Sequence, residues 1–207
     1  MPESKDLKTY HGSCHCGTIT YLFKLRLPPT TDPNIREGLN RIYKCNCTVC
    51  HKMGFFHCRP IDPAADFILT SPSTIEEMGR YSLKGIVEWY FCRKCGVHVL
   101  GLGGSWKQED VDVDEWAGKE GGSGKKQKVW VTRPKGERQE KDKEGKEFVK
   151  PFHYVSVNAT TLDHGQEGLD LREWHEKGWI FYVECWKRKE GEGSKERFGT
   201  PHECGMY

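Results

Sequence analysis

No apolar run in this chain approaches the roughly 20 residues that a helical membrane span needs. Nor is there a surplus of charge: 32 Lys and Arg against 30 Asp and Glu leave a net +2. That balance provides no long-range pull toward nucleic acid or an anionic membrane. The first ten residues lack the apolar middle of a signal peptide, and no segment repeats. These absences lead us to expect a soluble, cytoplasmic protein with neither nucleic acid nor membrane as partner. In a reducing compartment, its ten cysteines argue for metal or catalysis before disulfides.

What is present is a generous aromatic fraction, 12%, within 36% hydrophobic residues, enough to build a core across 207 residues. Short β-branched and aromatic runs separated by turn signals predict a mainly β arrangement with few short helices. Strands are expected over 18–27, 41–44, 67–70, 76–82, 87–91, 97–102 and 179–186, with a further one at 129–132; order resumes over 148–158, whose tail 153–158 alternates as a strand. A loop is expected at Pro28, Pro29, Asp32, Pro33 and Asn34. The one helix expected spans 169–177, with Leu171 and Trp174 on its packing face and Gly178 as its stop. Residues 1–10 read as a lead-in and 11–185 as a single domain. Within that domain, 106–147 reads as a charged, partly disordered surface insertion. Residues 186–207 read as a charged tail.

Seven of the cysteines fall into three tight clusters. Cys92-Arg93-Lys94-Cys95-Gly96 suits a zinc knuckle, because the turn aims both sulfurs at one ion and glycine permits the backbone conformation that follows. Cys14 and Cys16, also followed by glycine, are the natural complement for a closed four-thiolate site. The plainer alternative is that one pair is simply buried thiols. Cys45, Cys47 and Cys50 fill three corners of a tetrahedron. The fourth corner is then either open to water or a substrate thiolate, as in a catalytic zinc site, or closed by His51, His57 or Cys58. A third alternative is that this cluster holds no zinc. Cys58, Cys185 and Cys204 read as small apolar or incidental thiols, with Cys185 buried in its strand.

The motifs Gly12-Ser13-Cys14-His15-Cys16-Gly17, Cys45-Asn46-Cys47-Thr48-Val49-Cys50 and Phe91-Cys92-Arg93-Lys94-Cys95-Gly96 stand in the order and spacing of a known family, as do Val157, Asn158, Leu162 and Asp163. Over roughly residues 10–105 and 148–185 the chain resembles the glutathione-dependent formaldehyde-activating enzymes (GFA, or CENP-V/GFA domain). The resemblance implies a Mss4-like fold of several curled antiparallel sheets around a structural zinc. It also implies that the first and third clusters hold that zinc and the middle one a catalytic zinc. The implied activity joins glutathione and formaldehyde into S-hydroxymethylglutathione, a carbon–sulfur lyase reaction in reverse. The chain departs from the pattern in its long insertion and tail, and in Met53, where a small polar residue is usual.

The expected partner is therefore a small-molecule thiol or thiol adduct such as glutathione, and the expected cofactors are two Zn²⁺ ions. A zinc-bound thiolate would form or break the carbon–sulfur bond. His51 and His57 are the candidates for proton transfer, and Lys52 and Arg59 for holding a substrate carboxylate. His15 and His98 flank the structural site. The competing reading is a non-catalytic, zinc-stabilised binding or scaffold domain whose charged insertion and tail make the contacts. Lys125, Lys126 and Lys128 are too interleaved with acidic residues to favour nucleic acid. The C-x-x-C pair lacks the strand–helix setting of a thiol redox motif.

Overall fold

The computed structural model describes residues 7–32, 35, 38–141, 145–189, 192 and 194–205. Outside that set lie residues 1–6 of the expected lead-in, Pro33 and Asn34 of the expected loop, residues 142–144 of the expected insertion, and residues 190, 191, 193, 206 and 207 of the expected tail.

Along the chain run β1 (Lys8–Ser13), β2 (Thr20–Leu25), β3 (Arg41–Cys45), α1 (Thr48–Met53), β4 (Phe56–Arg59) and β5 (Phe67–Ser71). Then come β6 (Met78–Tyr81), β7 (Glu88–Cys92), β8 (His98–Gly103), β9 (Ser105–Asp112), α2 (Val113–Trp116) and β10 (Lys126–Arg133). The last are β11 (Glu137–Lys141), β12 (Glu147–Pro151), β13 (Tyr154–Asn158), α3 (Leu171–Glu176), β14 (Phe181–Glu184) and β15 (Lys195–Phe198). The strands form a five-stranded sheet in the order β1-β2-β5-β10-β9, an eight-stranded sheet in the order β15-β14-β3-β4-β13-β8-β7-β6, and the separate pair β11-β12.

The chain is thus mainly β with three short α-helices among the described residues. It is not wholly antiparallel: β14 lies parallel to β3, with Phe181 opposite Tyr43 and Val183 opposite Cys45. The long intervening chain supplies the crossover that a parallel pair requires. Three other expectations change. Lys8–Tyr10, read as lead-in, belong to β1, which pairs with β2 from Lys8↔Leu25 to Ser13↔Thr20. The 106–147 stretch, read as a loosely ordered insertion, contributes β9 and β10 to the five-stranded sheet, paired from Lys126↔Asp112 to Arg133↔Ser105. Its dense charge hides a period-two pattern in which Val129 and Val131 are buried while Lys126 and Lys128 face solvent. In the tail, β15 adds an edge strand to β14.

The main core lies between the two large sheets. Tyr10, Tyr21, Phe23, Leu25, Phe67 and Leu69 from one meet Ile42, Phe56, Cys58, Tyr90, Val155 and Val157 from the other. Alternation along each strand then sends the neighbours of these residues to the far face of the eight-stranded sheet. There Tyr43, Cys45, Trp89, Phe181 and Val183 gather with Cys50 and Phe55 in a second, smaller cluster.

Candidate metal centres

The first centre is built from two matching turns. The Cys14 N–H donates to the Ile19 carbonyl (3.0 Å) and the Gly17 N–H to the Cys14 carbonyl (3.0 Å). The Cys92 N–H donates to the Val97 carbonyl (2.9 Å) and the Gly96 N–H to the Cys92 carbonyl (2.9 Å). Gly17 and Gly96 close these turns with φ of 73° and 75°, a region open to glycine and strained for other residues. The four sulfurs of Cys14, Cys16, Cys92 and Cys95 lie within 4.8 Å of one another. Cys16 Sγ stands 3.6 Å from both Cys14 Sγ and Cys92 Sγ. Tetrahedral thiolates about 2.3 Å from zinc would stand about 3.8 Å apart, so the donor set and its spacing fit zinc. The Ile19 N–H donates to Cys14 Sγ (3.3 Å), and the Thr18 hydroxyl leads the contacts that hold the Cys16 thiol down to about 6.

The middle centre spans a strand end and a helix start. Cys45 ends β3, Cys47 is the N-cap of α1, and Cys50 lies in its first turn. The Cys50 N–H donates to Cys47 Sγ (3.4 Å) and the Cys47 N–H to Cys45 Sγ (3.4 Å). Gly54, at φ 61°, then ends the helix, its N–H shared between the Cys50 and His51 carbonyls. The three sulfurs lie within 4.8 Å of one another. Hydrogen bonds from the Cys45 and Cys50 thiols hold Cys47 down to about 2. The neighbouring thiols of Cys185 and Cys47 push Cys45 well above the thiol range. The cluster therefore already favours a thiolate at Cys47.

Of the three side chains expected to close this centre, the structure brings in one. His57 Nε2 lies 3.1 Å from Cys50 Sγ. Its Nδ1 stands 3.0 Å from Ser156 Oγ and 3.1 Å from the Tyr154 hydroxyl, which is 3.1 Å from that of Tyr43. Burial pushes His57 down to about 3, so its imidazole is neutral at pH 7. The Tyr43 ring stacks on it at 4.2 Å, and Phe55 and Trp89 enclose it at 4.8 and 5.7 Å. Cys58 points the other way, into the main core, because adjacent strand residues face opposite sides. His51 and Lys52 are exposed on α1. The Arg59 guanidinium lies over the Tyr154 ring at 4.6 Å. His15 is exposed, and His98 packs its ring against Phe91 at 5.2 Å.

Cys185 corrects the sequence reading: it is half-buried and packs against the middle cluster. Tyr43, Trp89, Tyr154, Ser156 and Asn46 also belong to this site, and sequence reasoning assigned none of them a role. Alternation in Tyr154-Val155-Ser156 marks a strand face without saying what that face meets.

The chain matches no family model, no curated protein and no solved structure. The site's chemistry is therefore read from its own atoms. Among the described residues, two separate thiol groups, one of four and one of three, can hold metal ions, and of these the group of three adjoins a buried imidazole.

Proposed function

We propose that this chain is a zinc-dependent carbon–sulfur lyase-type enzyme of the GFA kind, with a Mss4-like fold. It forms or breaks the carbon–sulfur bond of a thiol adduct, such as a glutathione conjugate, at Cys45, Cys47 and Cys50. The observation that carries this reading is the three-thiol group beside a neutral His57, apart from the four-thiol group. A closed four-thiolate site suits structure, while a site with three protein ligands suits chemistry. A zinc ion held by the three cysteines supplies Lewis acidity that draws a thiol's pKa toward neutrality.

The chain's own residues supply the rest. Phe55, Trp89 and Phe181 wall the cluster with apolar surface. His57 is fixed by its two hydroxyl partners and holds a proton on one ring nitrogen. Its Nδ1 is linked through the Tyr154 hydroxyl to that of Tyr43, a hydrogen-bonded path for a proton. Such a path serves the proton that an adduct oxygen gains or loses.

The proximity of His57 Nε2 to Cys50 favours one rival, a closed and non-catalytic centre in a binding domain. The deciding experiment measures zinc per chain and the rate of adduct formation from glutathione and formaldehyde, in the wild type and in Cys47→Ser. Two zincs falling to one, with that rate lost and the fold kept, is the expected result. An unchanged rate in Cys47→Ser would overturn the enzyme reading.

A further inference from the structure

Cys185 has no role in the account above, yet the fold holds it against the middle centre. The parallel register that sets Val183 opposite Cys45 brings the chain just past β14, Cys185 and Trp186, to the Cys45–Cys47 loop. Asn46 clamps this junction from between the two cysteines and is only 3% exposed. Its N–H donates to the Val183 carbonyl (3.3 Å). Its Oδ1 accepts from the N–H groups of Cys185 (2.7 Å) and Trp186 (3.0 Å). Its Nδ2 donates to Glu184 Oε1 (2.9 Å) and to the Glu203 carbonyl (3.0 Å). A buried amide with its whole bonding capacity spent in this way fixes the backbone of Cys185 beside the metal loop. The Cys185 side chain packs on the Cys45–Cys50 cluster.

We infer that Cys185 is the fourth thiolate of the middle centre in the resting protein and yields that position to an incoming thiol. This rests on the reading that Cys45, Cys47 and Cys50 bind zinc. The mutually close sulfurs number three, so Cys185 reaches the fourth corner by turning its side chain while Asn46 holds its backbone. Its place is also suited to leaving. Cys185 and Cys47 are half-buried, whereas Cys45 and Cys50 are buried, and Cys47 is tied down as the N-cap of α1. His57, the other neighbour, is pinned through Nδ1 in the sheet and cannot swing in and out. The exchange balances: the incoming thiol gives up its proton, the departing Cys185 sulfur takes one, and the centre keeps its charge. A resident sulfur of this kind shields the centre from other donors until a thiol competes for it.

Cobalt(II) in place of zinc tests this through the thiolate-to-metal charge-transfer absorption, which scales with the number of bound thiolates. The wild type is expected to carry two cobalts and eight thiolates. Cys185→Ser should keep both metals and lose about one eighth of the intensity, all of it from the middle centre. Adding 2-mercaptoethanol should restore that loss in Cys185→Ser and leave the wild-type intensity unchanged. The four-thiolate spectrum of the first centre reports within the same sample that the variant is folded. Two cobalts with undiminished intensity in Cys185→Ser would overturn the inference and leave the proposed enzyme standing. A single cobalt in the wild type would overturn both.

Discussion

Gly96 and Gly17 do the same work at the two turns of the first centre, each just past the second cysteine of its pair. At φ of 75° and 73°, an alanine at either position would strain the backbone by about 1–2 kcal/mol. Gly96→Ala should lower the melting temperature of the metal-loaded protein and speed loss of the first metal to a chelator, both measurable in one thermal series. His57 makes a prediction about pH. Its folded pKa, about 3, lies below the ordinary 6.5, so between these values the unfolded chain binds the extra proton. The stability His57 contributes is present above pH 6.5 and is lost as pH falls toward 3, with a slope of up to about 1.4 kcal/mol per pH unit. In denaturant titrations from pH 7 to 5, the wild type should lose stability more steeply than His57→Gln. Metal release by acid affects both proteins, so the difference between them isolates the imidazole. The seven clustered cysteines were legible in the sequence because a turn places ligands by local spacing. The partners of His57 were not, since Ser156 and Tyr154 lie about a hundred residues away along the chain.

At the scale of elements, the eight-stranded sheet decides which residues can meet. Tyr43 lies opposite His57 across β3 and β4, and Phe181 opposite Tyr43 across β14 and β3, so three rings line up on one face. Trp89 completes the wall by lying across Gly101, where an added Cβ would stand 2.9 Å from its ring. The clamp of β14 onto the metal loop depends on Asn46. Asn46→Ala leaves the N–H groups of Cys185 and Trp186 without their partner, at a cost of about 2–4 kcal/mol in all. We expect that loss in equilibrium unfolding, together with faster amide exchange at residues 183–186 and 203–205, where the tail is anchored. The strand at 41–44 was readable from its β-branched and aromatic residues. β4 was not, because Phe56-His57-Cys58-Arg59 contains no β-branched residue and only one aromatic of the strand-favouring kind.

For the whole molecule, the two candidate centres occupy different places. Cys14 and Cys16 stand at the turn between β1 and β2 in the five-stranded sheet. Cys92 and Cys95 stand at the turn between β7 and β8 in the eight-stranded sheet. A metal held by all four joins the two walls of the core, so its binding energy is part of the folding energy. The middle centre lies on the outer face of one sheet, and its three clustered cysteines come from one short segment, Cys45 to Cys50. Cys92→Ser should therefore remove a large share of the roughly 5–15 kcal/mol that holds a domain folded, and Cys47→Ser much less. Thermal melts of the two variants, each with its metal content, check this. Equal destabilisation would mean that both centres are structural.

The sequence by itself determined the mainly β class, the lack among the described residues of a helix long and apolar enough to cross a membrane, and the division of seven cysteines into knuckle pairs and a three-thiol loop. All of these depend on local composition or on spacings of a few residues. The tertiary structure alone decided that the charged 106–147 stretch belongs to a sheet, that the tail returns to the middle centre, and that His57 rather than His51 or Cys58 faces that centre. It also placed Cys185 beside Cys45. The physical reason is register: a strand residue's neighbours across the sheet are set by hydrogen-bonded pairing with distant chain, and a shift of one residue would turn each of these side chains to the opposite face.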